Sequence, residues 1–176
     1  ITGEPAHDAW HSTRGGFRVD HQRGIDQLTV QGDIFYNAMG NALDKSHLSA
    51  PVIQADIARG HSEGGNIRLR WDRTFSNQSA IMLQTYYDLV DYRLSNLSKF
   101  RSESFDIDFQ HRFPLLDRHD FTWGANYRLY HNTVSDTELI AFNPRQQTNH
   151  LISGYARNET ILIPEHLKFT LGVRVD

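Results

Sequence analysis

The sequence predicts an all-β chain, with about eight antiparallel, up-and-down strands that form part of a larger transmembrane β-barrel. Three observations predict it. Apolar and polar residues alternate with period two in stretch after stretch, while helical periodicity is scarce. The connections between these stretches are short and long by turns. The best stretch alternates over ten residues, Leu167 to Asp176. A 12-residue strand at ~3.4 Å per residue, even tilted by ~40–45°, crosses the ~25 Å apolar band of an outer membrane. Strands of soluble domains more often run about 5–6 residues.

Taken in order, Gly16 to His21 is short and carries Phe17 and Val19. Asp26 to Asn37 carries Leu28 and Val30 and then loses phase near Gly32 and Asp33, where a bulge is expected. Asn66 to Asp72 alternates cleanly. Ile67, Leu69 and Trp71 share one face, and Asn66, Arg68, Arg70 and Asp72 the other. Ser79 to Arg93 is apolar on both faces, so its orientation stays open. Ser104 to Gln110 sets Phe105, Ile107 and Phe109 against Asp106 and Asp108. Asp120 to Asn132 sets Phe121, Trp123, Ala125 and Tyr127 against Thr122, Asn126 and Arg128. His150 to Ile163 has mixed faces and an open orientation, and Leu167 to Asp176 closes the series with Lys168 and Arg174 on its polar side.

Between these stretches, Gln22–Ile25, Ser76–Gln78, Pro114–His119 and Pro164–His166 read as tight turns. Ala38–Gly64, Leu94–Lys99 and Thr133–Asn149 alternate with them, and the first and last read as long polar loops. Short turns on one side and longer loops on the other are the arrangement of outer-membrane barrels. Aromatic residues such as Trp71, Phe113, Phe121, Trp123 and Phe169 fall near strand ends or on apolar faces, as interfacial girdles do. A soluble β-sandwich, binding carbohydrate through exposed aromatics, remains the alternative on periodicity alone.

Composition narrows the function classes. The 176 residues hold 18 Lys plus Arg and 21 Asp plus Glu, a net charge of −3, and no cysteine. The absence of cysteine excludes a disulfide framework, a thiolate zinc site, an iron–sulfur cluster and cysteine catalysis. The near-neutral balance argues against nucleic acid as a partner. A mean hydropathy of −0.55, with no apolar run near ~18 residues, excludes a transmembrane helix but not a transmembrane strand. No basic, apolar leader opens the chain and no turn closes it, so it reads as a segment of something longer, its ends cut within the barrel.

Chemistry-bearing patterns are few. No Gly-x-Ser-x-Gly elbow and no His-Glu-x-x-His helix occurs, so no enzyme is expected; a barrel enzyme with a Ser/His pair is the remote alternative. His47, His61, His131 and His150 fall in or beside the expected outer loops without metal-ligand spacing. Asp106 and Asp108 share a strand face and could hold a metal or a sugar nucleotide. A charged wall balanced by Arg112 is the simpler reading. No metal and no cofactor are expected. The candidates for lumen-facing positions are Arg68, Arg70, Asp72, Asp106, Asp108, Arg128, Lys168 and Arg174.

Leu167-Lys-Phe-Thr-Leu-Gly-Val-Arg-Val-Asp176 resembles the L-x-L-x-L-G-x-R-x-D/E strand of TonB-dependent outer-membrane receptors. Ser153 to Thr160 is similar to that family's aromatic-x-Gln-Asp-Glu strand, with Arg157 and Asn158 replacing the Gln and Asp. Ile163 to Leu167 resembles its short periplasmic turn, and Gly15–Asp20 with Asp26–Asp33, and Phe105–Phe113, resemble its strands. The resemblance implies about eight strands from a 22-stranded barrel in a Gram-negative outer membrane, with the plug domain outside this sequence. It also implies import of a scarce nutrient, a ferric siderophore above all, powered by the TonB complex acting on the plug, with outer-membrane lipid around the wall.

Overall fold

A computed structural model describes residues 9–46, 53–75, 78–94, 98–136 and 141–176, with side chains at 41–46 and 53–58 left aside. Eight strands form within them: β1 (Trp10–Arg23), β2 (Asp26–Ser46), β3 (Ile53–Thr74), β4 (Ala80–Leu94), β5 (Ser98–Leu115), β6 (His119–Ser135), β7 (Gln146–Ile163) and β8 (Leu167–Val175). They make one sheet in chain order, and every neighbouring pair is antiparallel. No helix occurs among the described residues. β1 and β8 are the edges, so the sheet is open. A sandwich needs a second sheet packed over the first. All eight strands lie in this one, which does not favour the sandwich alternative.

The four tight connections lie at one end of the sheet, and each turns through one left-handed residue: Gly24 (φ 59°), Gln78 (φ 64°), Leu116 (φ 62°) and Glu165 (φ 64°). Only Gly24 adopts that conformation without steric cost. The other end holds the remaining connections. There the expected loops are shorter than the sequence suggests. Pairing of β2 with β3 continues to Ser46↔Ile53, so most of 38–64 is strand and only 47–52, outside the described residues, remains to connect them. The connection expected at 133–149 narrows to 136–145, because β6 runs to Ser135 and β7 begins at Gln146. The expected bulge at Gly32 and Asp33 is also absent. Phe17↔Gly32 and Gly16↔Asp33 pair in register, and among the described residues the one irregularity in the ladders falls between Ile161 and Ile163. Gly32 interrupts the apolar series without shifting its phase, because Phe17 covers it: a Cβ at Gly32 would lie 3.1 Å from Phe17 Cε1.

Register carries the geometry of a barrel wall. The line perpendicular to the strands through Asp26, the first residue of β2, passes Arg73, Ile81, His111, Trp123 and Ala156 and reaches Val173. Val173 lies six residues beyond the start of β8 at Leu167. The strand ends thus step along the sheet by about one residue per strand. Such a stagger is the shear that tilted barrel strands require.

Candidate functional site: a charged face and an apolar face

Residues directly opposite one another in a ladder share a face of the sheet. Following one row from Arg18 gives Gln31, Arg68, Tyr86, Asp106 and Arg128. The neighbouring rows place Arg70 with Asp108, Asp72 with Gln110, and Tyr155 with Arg174. Lys168, two residues from Thr170 opposite Glu159, completes the set. The ladders set all eight of these residues on one face of the sheet. The two strands left open by periodicity are oriented by the same ladders: Met82, Gln84 and Tyr86 of β4, and Ser153, Tyr155 and Arg157 of β7, join the charged face.

That face is a dense polar lattice. Asp106, 6 % exposed, accepts from Arg128 Nε at 2.6 Å and twice from Asn126 Nδ2 at 3.1 Å. Arg128 also donates to Tyr130 Oη at 3.1 Å. Arg70 grips Asp72 with two bonds of 2.7 and 2.8 Å. Arg68 donates to Gln31, Lys168 to Glu159, and Arg174 to Asp176 and Ser153. Asp108 stands apart, since its buried Oδ1 has no hydrogen-bond partner. It lines a concavity of about 350 Å³ with Asn126, Arg128, Ser153, Tyr155 and Arg174. Six of the eight charges thus meet an opposite charge, while Arg68, bonded to the neutral Gln31, and Asp108 do not. Arg18 holds Asp20 along its own strand, and two further pairs across the ladders escaped sequence reasoning: Thr29 on Asp20 and Asn66 on Asp33. Ladder partners can be found only once register is known.

Tyr155 shows how the lattice is fitted. Its ring lies over Gly124, where a Cβ would come 2.6 Å from Tyr155 Cε1, and its hydroxyl donates to Gln110 Oε1 at 2.9 Å. Tyr155, Gly124 and Gln110 stand on one row of β7, β6 and β5. Towards the loop end the same face turns aromatic: Tyr92 pairs with Phe100, and Phe35 lies against Gly64. The sequence reading missed this patch, because it treated 38–64 as loop and left the faces of 79–93 open.

The opposite face is apolar and exposed. Phe17 is 55 % exposed, Ile34 72 % and Leu171 67 %, whereas Thr29, Asp106 and Thr122 on the charged face are each 6 % exposed. Crowding on one side and openness on the other are what a sheet curved toward its charged side produces. Aromatics border the apolar band at both ends. On the turn side, Phe109 meets Trp123 at 5.3 Å, Phe113 meets Phe121 at 5.4 Å, and Trp71 Nε1 donates to Asp26 at 2.9 Å. On the loop side, three tyrosines recur on alternate strands, each tied to the next strand. Tyr36 stacks on His61, Tyr87 Oη donates to Glu103 at 2.8 Å, and Tyr127 Oη lies 2.9 Å from His150 Nδ1. His131 sits beside Thr148 at 2.8 Å. His47 lies outside the described residues.

A Ser–His pair does occur, Ser79 Oγ 3.0 Å from His111 Nε2. Trp123, whose indole N–H is a donor only, points at His111 Nδ1 from 3.3 Å. Both residues point to the apolar face of the sheet, His111 lying in the row of Trp123 and Ile81.

No family model matches the chain, and no curated protein matches it in sequence. Among solved structures, its fold is similar to that of the copper transporter OprC, with a TM-score of 0.59 at 13 % identity. The match covers 94 % of this chain and 31 % of that one, so the chain spans about a third of the transporter's length. The likeness is one of fold.

Proposed function

We propose that this chain is a section of the wall of an outer-membrane transport barrel. Its apolar face meets lipid and its charged face lines the lumen. The observation that carries this reading is the division of the sheet: an exposed apolar band bordered by aromatics at both ends, backed by a polar lattice whose charges neutralise one another. In lipid every backbone N–H and C=O must be paired within protein, each unpaired group costing several kcal/mol. The free edges of β1 and β8 therefore need further strands beside them, and a neighbour of fold about three times as long fits that need.

The whole protein, in this reading, takes up a scarce nutrient and draws on the TonB complex through a plug, as the resemblance of its strands implies. Arg68, Arg70, Asp72, Asp106, Asp108, Arg128, Lys168 and Arg174 face the lumen. The cargo is a ferric siderophore. The aromatic patch of Phe35, Tyr92 and Phe100 at the loop end supports it, since an organic chelate offers apolar surface that a bare ion lacks. Copper is the competing cargo, because the fold neighbour is named a copper transporter.

Uptake assays decide between them. Cells carrying the gene, cells lacking it, and cells lacking TonB are given radioactive iron bound to siderophores, or radioactive copper. Accumulation of siderophore iron that needs both the gene and TonB is the expected result. Gene-dependent copper uptake with no effect on iron would move the reading to copper, and uptake indifferent to the gene would end it.

A further inference from the structure

Around Asp108 the charged face holds more carboxylates than cations. Both ladder neighbours of Asp108 are neutral, Gln84 on β4 and Asn126 on β6. Each guanidinium nearby is held by a carboxylate of its own: Arg70 by Asp72 at 2.7 Å, Arg128 by Asp106 at 2.6 Å, and Arg174 by Asp176 at 2.8 Å. Asp108 is left over. Among the described residues neither of its oxygens has a hydrogen-bond partner, and Oδ1 is sealed from solvent. A carboxylate in that state is stabilised by a cation that brings donors to its open oxygen.

The concavity of about 350 Å³ that Asp108 lines gives such a cation room. Its walls carry acceptors and donors together. Asn126 spends its amide donors on Asp106 and on Ile107 O, so its Oδ1 remains an acceptor. Arg128 and Arg174 keep N–H donors beyond those given to Asp106, Tyr130, Asp176 and Ser153. A bare ion gains nothing from those donors, and no group of three or more metal-ligating side chains occurs among the described residues. An organic amine with hydroxyl groups uses both kinds.

We propose that Asp108 seats the ammonium of a small hydroxylated amine, of the amino-sugar class, on the lumen wall. The ammonium donates to Asp108 Oδ2 and Asn126 Oδ1, and the hydroxyl oxygens accept from Arg128 and Arg174. This rests on the reading of the charged face as lumen lining and adds a solute class to it.

The test uses the whole protein as the cell makes it, purified in detergent, with binding followed by ligand-observed NMR. The probes are glucosamine, at a mildly acid pH that keeps its amine charged, and N-acetylglucosamine, which keeps the hydroxyls and loses the charge. Wild type is expected to bind glucosamine and not the acetylated sugar. D108N is expected to weaken glucosamine binding about tenfold to a hundredfold, the worth of a charged hydrogen bond. D88N removes another carboxylate of the same face, outside the concavity, and is expected to leave binding unchanged. Because D108N removes a charge without a partner, its urea midpoint should be no lower than that of wild type. Equal binding by wild type and D108N, equal binding of both sugars, or an equal loss in D88N would overturn the seat. Displacement of glucosamine by potassium at equal concentration would overturn it in favour of an inorganic cation, and a lowered midpoint in D108N would show that the carboxylate already has a partner. Failure of the wall reading looks different, because the protein would then stay dispersed without detergent whether or not it bound the amine.

Discussion

At the scale of single residues, positions are set by what lies opposite them. Gly124 is glycine because two neighbours occupy the space of a side chain: Phe109 O lies 2.6 Å from an ideal Cβ and the Tyr155 ring equally close. Gly124→Ala is expected to cost ~1–3 kcal/mol, the price of overpacking, read as a lowered urea midpoint for the folded protein in micelles. Tyr155→Phe loses only the bond to Gln110, about 1 kcal/mol. In the connection between β6 and β7, Asp136 accepts the Phe142 N–H at 3.0 Å and is gripped by Arg145. These donors hold its carboxyl below the usual carboxylate range, the Phe142 N–H first and Arg145 second. A depressed folded pKa means that the stabilisation is complete above the ordinary value, ~3.9, and lost as pH falls through the depressed one. Protection of the Phe142 amide from exchange, corrected for intrinsic rate, should therefore hold at neutral pH and collapse at strongly acid pH. Asp136→Asn should weaken it at neutral pH; protection unchanged in that variant would refute the clasp.

At the scale of elements, strands were legible wherever one face was apolar. Asn66–Asp72 and Ser104–Gln110 declared both their existence and their faces, since period two needs contrast and Ile67, Leu69 and Trp71 stand against charges. Where contrast failed, so did the reading. Beyond the aromatic border both faces of β2 and β3 carry polar residues, and a hydrogen-bonded ladder that needs no side chains left no trace in the sequence. For β4, apolar on both sides, only the ladders to Arg68 and Asp106 fixed the orientation. Within the candidate site the sequence set the eight charged residues on polar faces but not the pairs that cross strands, because Arg128 reaches Asp106 from 22 positions away. The aromatic border predicts a depth. With Trp10 replaced by Phe, the remaining fluorescence comes from Trp71 and Trp123, both on the turn side of the band. Lipids brominated near the headgroup end of their chains should quench it more than lipids brominated near the chain ends. Stronger quenching by the deep bromines would place the border wrongly.

At the scale of the whole molecule, the low hydropathy and the membrane reading agree once the sheet is seen to have two faces. A chain with a mean hydropathy of −0.55 can still present a continuous apolar face, because the opposing face and the projecting β2–β3 hairpin hold its polar residues. In water that face would be an aggregation surface, and in lipid it is the solvated one. Most of the charges behind it are paired and therefore tolerable away from bulk water.

Because the chain has no cysteine, any single cysteine introduced into it is a unique label. Spin labels placed one at a time from 104 to 110 along β5, in the protein reconstituted into bilayers, test the two-faced wall most directly. Accessibility to oxygen, which concentrates in lipid, should peak at 105, 107 and 109. Accessibility to a water-soluble nickel chelate should take the opposite phase, at 104, 106, 108 and 110. A flat profile, or one in which the aspartate positions face lipid, would contradict the account.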